Sequence, residues 1–532
     1  MGASRWSYHA VCAVFAVLLY LNALPGGFVY DDLTYVQENP SVLGETGVFD
    51  QPLAPEHPEL GLYRPLTVLT YRWTHQLAGM QPFPFHLGNA LLHALASLLV
   101  VSLAGFLGAG RATAGLAGLL FAAHPIHVEA VAWVVGRAEI LATCFALLAI
   151  LVHGRPSDRR PLSRAALASL LYGAAALSKE SALCLPAFFL LHDLVRRDAL
   201  PLRALALRLL PSALVCLALV ALRIAVLDRF GPDPSTHAYL ANLDLLERAR
   251  LGLAVFGRSL RLLLVPYPTS VHYDPRPFFA AQAAALGGLA LLATLLLGIG
   301  LRRARRRTAL LGLLLFGVGL LPFLHLVPFG DVFADRFLYL ASTGYCVTLA
   351  SVLFTAARRP GPVRLALALL LLACFSTLTL NRNPAFRNQI ALWRDAVRSQ
   401  PAASFAHFQL ADQYRRAGLL EYQSESRKGA IYHYLESLRV EPESPRAAEA
   451  HLRLGEYAGA RMGDAAAAAR HYRAALARAP TLYEAMLDLA ALEPQGVVGR
   501  QEARELLIRA LGLNPPAELA EAARRMLEEL RD

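Results

Sequence analysis

The sequence predicts an all-α polytopic membrane protein: a multi-span module over residues 1–380, then a water-soluble helical-repeat domain over 381–532. Three observations carry this. Of 532 residues, 56% are AVILMFWYC and only 17% are charged, and the mean hydropathy is +0.41; with glycine added, the apolar share exceeds the roughly 45–50% of a soluble domain. The charge is uneven: of a net +11, residues 381–532 contribute only +1, from 21 basic and 20 acidic residues. Third, Pro401, Pro442, Pro480 and Pro515 lie 41, 38 and 35 residues apart, all in that balanced tail. Disorder, collagen, a small disulfide scaffold and an ordinary cytosolic enzyme are excluded. The basic excess sits among apolar runs, so it reports topology and no nucleic-acid partner is expected.

Spanning helices need about 20 mostly apolar residues. Apolar stretches fall near 8–26, 86–108, 112–131, 138–153, 165–178, 181–195, 204–227, 249–265, 278–301, 308–326, 335–357 and 363–380. No small-residue cleavage site stands out after the first, so it reads as a retained span. All six cysteines, Cys12, Cys144, Cys184, Cys216, Cys346 and Cys374, lie inside such runs and none forms CxxC, which argues against disulfides and zinc.

Arginine clusters mark the cytoplasmic loops. They are Arg155, Arg159, Arg160 and Arg164; Arg196, Arg197 and Arg203; Arg302, Arg303, Arg305, Arg306 and Arg307; and Arg358, Arg359 and Arg364. Placing all four inside leaves a large first outer loop, 27–85, together with 132–137, 179–180, 228–248, 267–277 and 327–335. The stretch 249–265 then has both flanks outside, and Arg248, Arg250, Arg258 and Arg261 charge it too heavily for a lipid-facing span. It reads as interfacial or re-entrant. Eleven crossings remain, with a cytoplasmic N-terminus and an extracytoplasmic tail.

Each proline interval in the tail holds two amphipathic helical patterns, such as 445–461 and 464–478, with Ala, Leu and Tyr on one face. The spacing is near the 34-residue tetratricopeptide period, with an insert around 420–428. Residues 517–530 read as a polar capping helix. A generic α-solenoid for protein contacts fits the pattern equally.

Ionisable groups near membrane helix ends are expensive and default to function. The first is FVYDDL, with Asp31 and Asp32 just past the first span. Paired carboxylates repel, which raises one pKa and makes a general base, or a metal ligand; the plain alternative is a solvated turn. Arg64 follows in YRPL. His86, Asn89 and His93 share one helix face in FHLGNALLHAL, where interhelical hydrogen bonding is the ordinary role. In HPIHVEAVAWVVGRAE, His124, His127 and Glu129 precede Arg137 and Glu139. The HExxH order is absent, so a supporting hydrogen-bonded network is expected and no metal ligand set is assigned. Lys179 and Glu180 form the next outer turn, and Arg336 opens a later span in ADRFLYLAS. Arg64, Arg137, Lys179 and Arg336 on one membrane face suggest a phosphate-bearing lipid substrate.

The ordered set FVYDD, YRPL, FHLGNALLH, HPIHVEAVAWVVGRAE, SKES and ADRFLYLAS, followed by repeats, resembles the TMTC (transmembrane and tetratricopeptide repeat) family over essentially the whole chain. The family consists of protein O-mannosyltransferases with the GT-C membrane fold, and an Arg-rich, Lys-poor composition suggests a bacterial, inner-membrane relative. The resemblance implies a first-loop acidic catalytic motif at Asp31 and Asp32. It also implies a polyprenyl-phosphate-linked sugar donor, a Ser/Thr hydroxyl acceptor met through the repeats, and inversion at the sugar. No cofactor is required, and a divalent cation remains optional. The tail departs from the longer family solenoids by holding only about three repeats, so acceptor identity is the open point. A lipid or glycan acceptor, a transporter and a membrane-anchored scaffold are the rival readings; no inverted repeat supports the transporter.

Overall fold

A computed structural model describes residues 5–154, 161–195, 201–229, 240, 242–304, 306–327, 330–354, 361–420 and 429–530. Among them every regular element is helical, as the sequence predicts. Arg155, Arg159, Arg160, Arg196, Arg197, Arg305, Arg358, Arg359 and most of the 420–428 insert lie outside the described residues.

The chain divides into two compact units, Met1–Leu392 and Trp393–Asp532. Among the described residues of the first, six helices are long and apolar enough to cross a membrane: Pro82–Phe106, Val134–His153, Leu202–Leu227, Ala281–Arg303, Asp335–Leu353 and Pro362–Phe386. This is a multi-pass membrane protein. The helix Arg111–Ala123 and the segment Pro125–Ala132 are apolar and long enough only when taken together, and a 49° bend between them makes the pair a broken span or a re-entrant loop. The bend has a local cause. Pro125 lacks the N–H that would continue the helix and pushes His124 into extended backbone (φ −66°, ψ 123°). The His124 ring then caps the new turn by accepting the Ile126 amide.

Length departs from the sequence reading at four of the eleven expected crossings. Tyr8–Ala23, Leu162–Ser178 and Arg307–Phe323 are shorter apolar helices. The stretch 181–195 is a 3₁₀ turn, Glu180–Cys184, followed by the ten-residue helix Leu185–Leu194 with Pro186 in its first turn. Ten residues rise only about 15 Å, half the hydrocarbon thickness. Leu245–Leu264 is one continuous 20-residue helix, started by an Asp244–Glu247 capping box, and is not among the six.

The second unit pairs successive helices: Ser404–Arg416 with Ala430–Val440, Ala447–Ala460 with Ala465–Arg478, and Tyr483–Ala490 with Arg500–Gly512. Small residues let them close. Gly455 meets the Tyr472 ring so tightly that a methyl group there would collide with it. Ala517–Glu529 closes the array, burying only Ala520 and Ala523. This arrangement is compatible with a repeat solenoid.

Candidate active site

The acidic pair sits in a turn forced by one backbone feature: Tyr30 has φ +49°, a left-handed conformation uncommon for a residue with a side chain. The Tyr30 ring stacks on Trp133, centroids 6.2 Å apart, and the Trp133 indole N–H donates to the Val29 carbonyl at 3.0 Å. The bent segment thus holds the turn.

The two carboxylates have different surroundings. Asp32 is fully buried; Oδ2 accepts the Val29 amide at 3.0 Å and Oδ1 the Val135 amide at 2.9 Å. The chain approaches itself closely here, because a side chain on Gly136 would strike the Ala130 backbone. Asp31 is only half-buried and points into a field set by Arg336, Asp331, Arg64 and Glu129. Burial pushes its carboxyl up to about 7, against the pull of Arg336 and Arg64. Burial also raises Asp32 well above the carboxylate range, opposed by its amide donors.

Arg336 is the cation built into this field. Its backbone amide donates to Glu129 Oε2 at 2.9 Å, its Nη1 donates to Glu129 Oε1, and its Nη2 donates to Asp331 Oδ2 at 3.0 Å. Its guanidinium lies 5.3 Å from the ring centroids of both Trp133 and Phe337. Arg336 and Tyr30, the residue before Asp31, therefore meet the same tryptophan.

The other expected phosphate ligands are engaged within the protein. Arg64 makes a two-pronged pair with Glu180, at 3.0 and 2.6 Å, and this holds the Glu180 carboxyl below its ordinary range despite burial. Lys179 is buried and ion-paired with Glu139; burial lowers its ammonium pKa although Glu139 opposes this. Arg137, expected to contact phosphate, is not presented for one. It is 2% exposed and donates to Asn89 Oδ1, the Thr70 carbonyl, Thr74 Oγ1 and the Phe85 carbonyl at 2.9–3.2 Å. A guanidinium with that set of short-range partners positions helices.

The histidines are interior hydrogen-bond groups. His86 Nε2 contacts the Gly27 carbonyl at 3.4 Å, and His124 Nε2 that of Leu263 at 3.0 Å. His127 bridges the Phe121 carbonyl and Ser342 Oγ, both at 2.7 Å. His93 joins the Tyr339 hydroxyl and the Ala122 carbonyl. Among the described residues, the metal-ligand atoms that converge belong to His153, His192 and Asp193, at the opposite end of the Arg137–His153 helix. There Arg208 grips both Asp193 oxygens.

Sequence reading missed Tyr35, His272 and Asp331. Tyr35 feels the charge of Asp31, and His272 feels Asp331 and Arg336. No motif marks them. Tyr35 lies one helical turn past Asp31, whereas His272 and Asp331 come from segments distant in sequence.

Fold and site together define a polytopic helical membrane protein with a half-buried carboxylate beside a carboxylate-held arginine. The comparisons give this class its relatives. No family model matches the chain. It is 28% identical over 491 residues to Protein O-mannosyl-transferase TMTC1 of Homo sapiens, an alignment covering 81% of this chain and 55% of that protein. It is 40% identical over 200 residues to Protein O-mannosyl-transferase Tmtc2 of Drosophila melanogaster, covering 35% of this chain and 21% of that protein. The alignments agree with the resemblance read from the motifs: the chain is similar in sequence to TMTC proteins, and it spans about half the length of TMTC1. Among solved structures, the apo crystal structure of the Archaeoglobus fulgidus oligosaccharyltransferase aligns with TM-score 0.45 and 14% identity. That alignment covers 84% of this chain and 66% of that one.

Proposed function

We propose that the protein is a GT-C-type membrane glycosyltransferase. It moves a mannose-like sugar from a polyprenyl-phosphate donor to a hydroxyl, a Ser or Thr of a protein acceptor, on the extracytoplasmic face of a bacterial inner membrane. The repeat domain presents the acceptor. The names of the relatives support the reaction class. One local observation carries the mechanism: Asp32 spends both oxygens on backbone amides, while Asp31, one residue away, stands among Arg336, Arg64, Asp331 and Glu129 with a carboxyl that burial raises to about 7.

In this reading Asp31 takes the proton of the acceptor hydroxyl. The hydroxyl oxygen attacks the anomeric carbon from the side opposite the phosphate, the carbon–oxygen bond to phosphate breaks, and the configuration inverts. A carboxyl with a pKa near the working pH suits proton transfer in both directions. Arg336, fixed by Glu129 and by stacking, stabilises the charge that develops on the leaving phosphate. Arg64, Lys179 and Arg137 form the frame that holds the site shut behind it. The test is transfer of radiolabelled mannose from polyprenyl-phosphate mannose to a Ser/Thr peptide by the purified chain in lipid. Labelled peptide supports the proposal, and a donor turned over equally with and without peptide refutes the protein acceptor.

A further inference from the structure

Arg64, Arg137, Lys179 and Arg336, the cations that the sequence assigns to the donor phosphate, are each neutralised or hydrogen-bonded inside the protein. A different group of guanidiniums is not so well matched. The helix Leu245–Leu264 buries Leu251, Val255, Leu262 and Leu263 and carries Arg258 and Arg261 one turn apart. Arg258 lies over the Tyr273 ring at 5.1 Å. The Tyr273 hydroxyl donates to Asp335 Oδ1 at 2.6 Å, and Arg382 reaches the other Asp335 oxygen at 3.6 Å. Arg261 donates one N–H to the Tyr267 carbonyl at 3.1 Å.

Nε of Arg258, and Nε and Nη2 of Arg261, are buried with no hydrogen-bond partner among the described residues. Buried guanidinium nitrogens left unmatched are costly. Arg258, Arg261 and Arg382 act electrostatically on one carboxylate, Asp335, whose Oδ2 also lacks a hydrogen-bond partner among the described residues, while Glu129 is committed to Arg336. An anion with several acceptor oxygens fits that deficit, and a phosphate matches the forked geometry of two guanidiniums. Its source is also indicated. Leu264, Val265 and Tyr267, at the end of the same helix, are 56%, 58% and 68% exposed, an apolar flank along which a lipid chain can lie. Asp335 is adjacent in sequence to Arg336, so this group of arginines adjoins the candidate reaction centre.

We propose that Arg258 and Arg261 bind the phosphate of a polyprenyl-phosphate lipid, with its chain along Leu264–Tyr267. This rests on the glycosyl-transfer reading and places the donor phosphate on the amphipathic helix, with Arg336 next to the breaking bond.

The test uses the full chain in phosphatidylcholine nanodiscs, titrated with a polyprenyl phosphate or with inorganic phosphate and read by native mass spectrometry. Polyprenyl phosphate should bind far more tightly than inorganic phosphate. The double variant Arg258→Gln/Arg261→Gln should lose at least about tenfold in affinity, the loss of one charge-assisted hydrogen bond. Its donor KM should rise, and kcat should fall as well, because charge develops on that phosphate in the transition state. If that variant folds poorly, Arg258→Lys/Arg261→Lys keeps both charges but not the forks, and should retain intermediate affinity. Unchanged affinity in a folded double variant overturns the proposal, as does equal binding of inorganic phosphate by the wild type. Arginine-dependent lipid binding without sugar transfer supports the pocket while refuting the enzyme reading.

Discussion

Asp32 accepts the backbone amide of Val135 at 2.9 Å, although 103 residues separate them. This bond pins the acidic turn to the start of the Val134–His153 helix, the bond from Val29 closes the turn on itself, and together they make Asp32 a positioning residue. Replacing Asp32 by Asn turns a buried two-oxygen acceptor into a group with one acceptor and two donors, leaving a Val135 or Val29 amide unmet. The expected cost is about 1–3 kcal/mol, read as a lower unfolding midpoint in detergent, with reduced but measurable transfer.

Transfer should also depend on pH with a known sign. The base must be deprotonated, and Asp31 is pushed up to about 7, so kcat/KM should rise with pH through neutrality and level off above it. Arg336 pulls Asp31 down. Arg336→Gln should therefore move the acidic limb to higher pH, whereas Arg336→Lys, which keeps the charge, should leave the limb in place. A limb near pH 4 in the wild type contradicts the assignment.

The Lys179–Glu139 pair is buried on both sides. Lys179→Met leaves an uncompensated carboxylate and should cost about 3–5 kcal/mol, while the double change Lys179→Met/Glu139→Leu should recover much of it. Thermal unfolding of the two variants and the wild type measures the difference. Equal destabilisation by single and double changes would remove the pair from the frame.

The arginine clusters imply a definite topology. An impermeant thiol reagent added outside intact cells should label a cysteine placed in the 381–532 domain and spare one placed between Arg302 and Arg307. The reverse pattern would move the acidic turn to the cytoplasmic side.

Much of the architecture is legible because apolar length is a local property. The sequence places spans at 86–108 and 138–153, and the helices run Pro82–Phe106 and Val134–His153. What local reading misses is where a run breaks. The bend at His124–Pro125 and the cut before Leu185 interrupt apolar stretches that look continuous by composition. The importance of the acidic turn is visible in the pairing of Asp31 with Asp32, but their division of labour is not. It depends on an amide a hundred residues away. The same holds for the cations. Arg64 meets Glu180 across 116 residues and Arg336 meets Glu129 across 207, so a list of outward-facing charges cannot say which are already neutralised. Arg258 and Arg261 read as marks of an interfacial helix, and only their unmatched nitrogens suggest a ligand.

The central claim is that Asp31 is the base, and the direct test is the transfer rate of Asp31→Asn. That change keeps the size and polarity of the side chain, and among the described residues Asp31 makes no hydrogen bond that pins the turn as Asp32 does, so the variant should express and unfold like the wild type. Removing a positioned general base costs about 10²–10⁴-fold in rate, and the account expects a kcat loss in that range with donor binding retained. A folded Asp31→Asn enzyme that transfers sugar at the wild-type rate would contradict it.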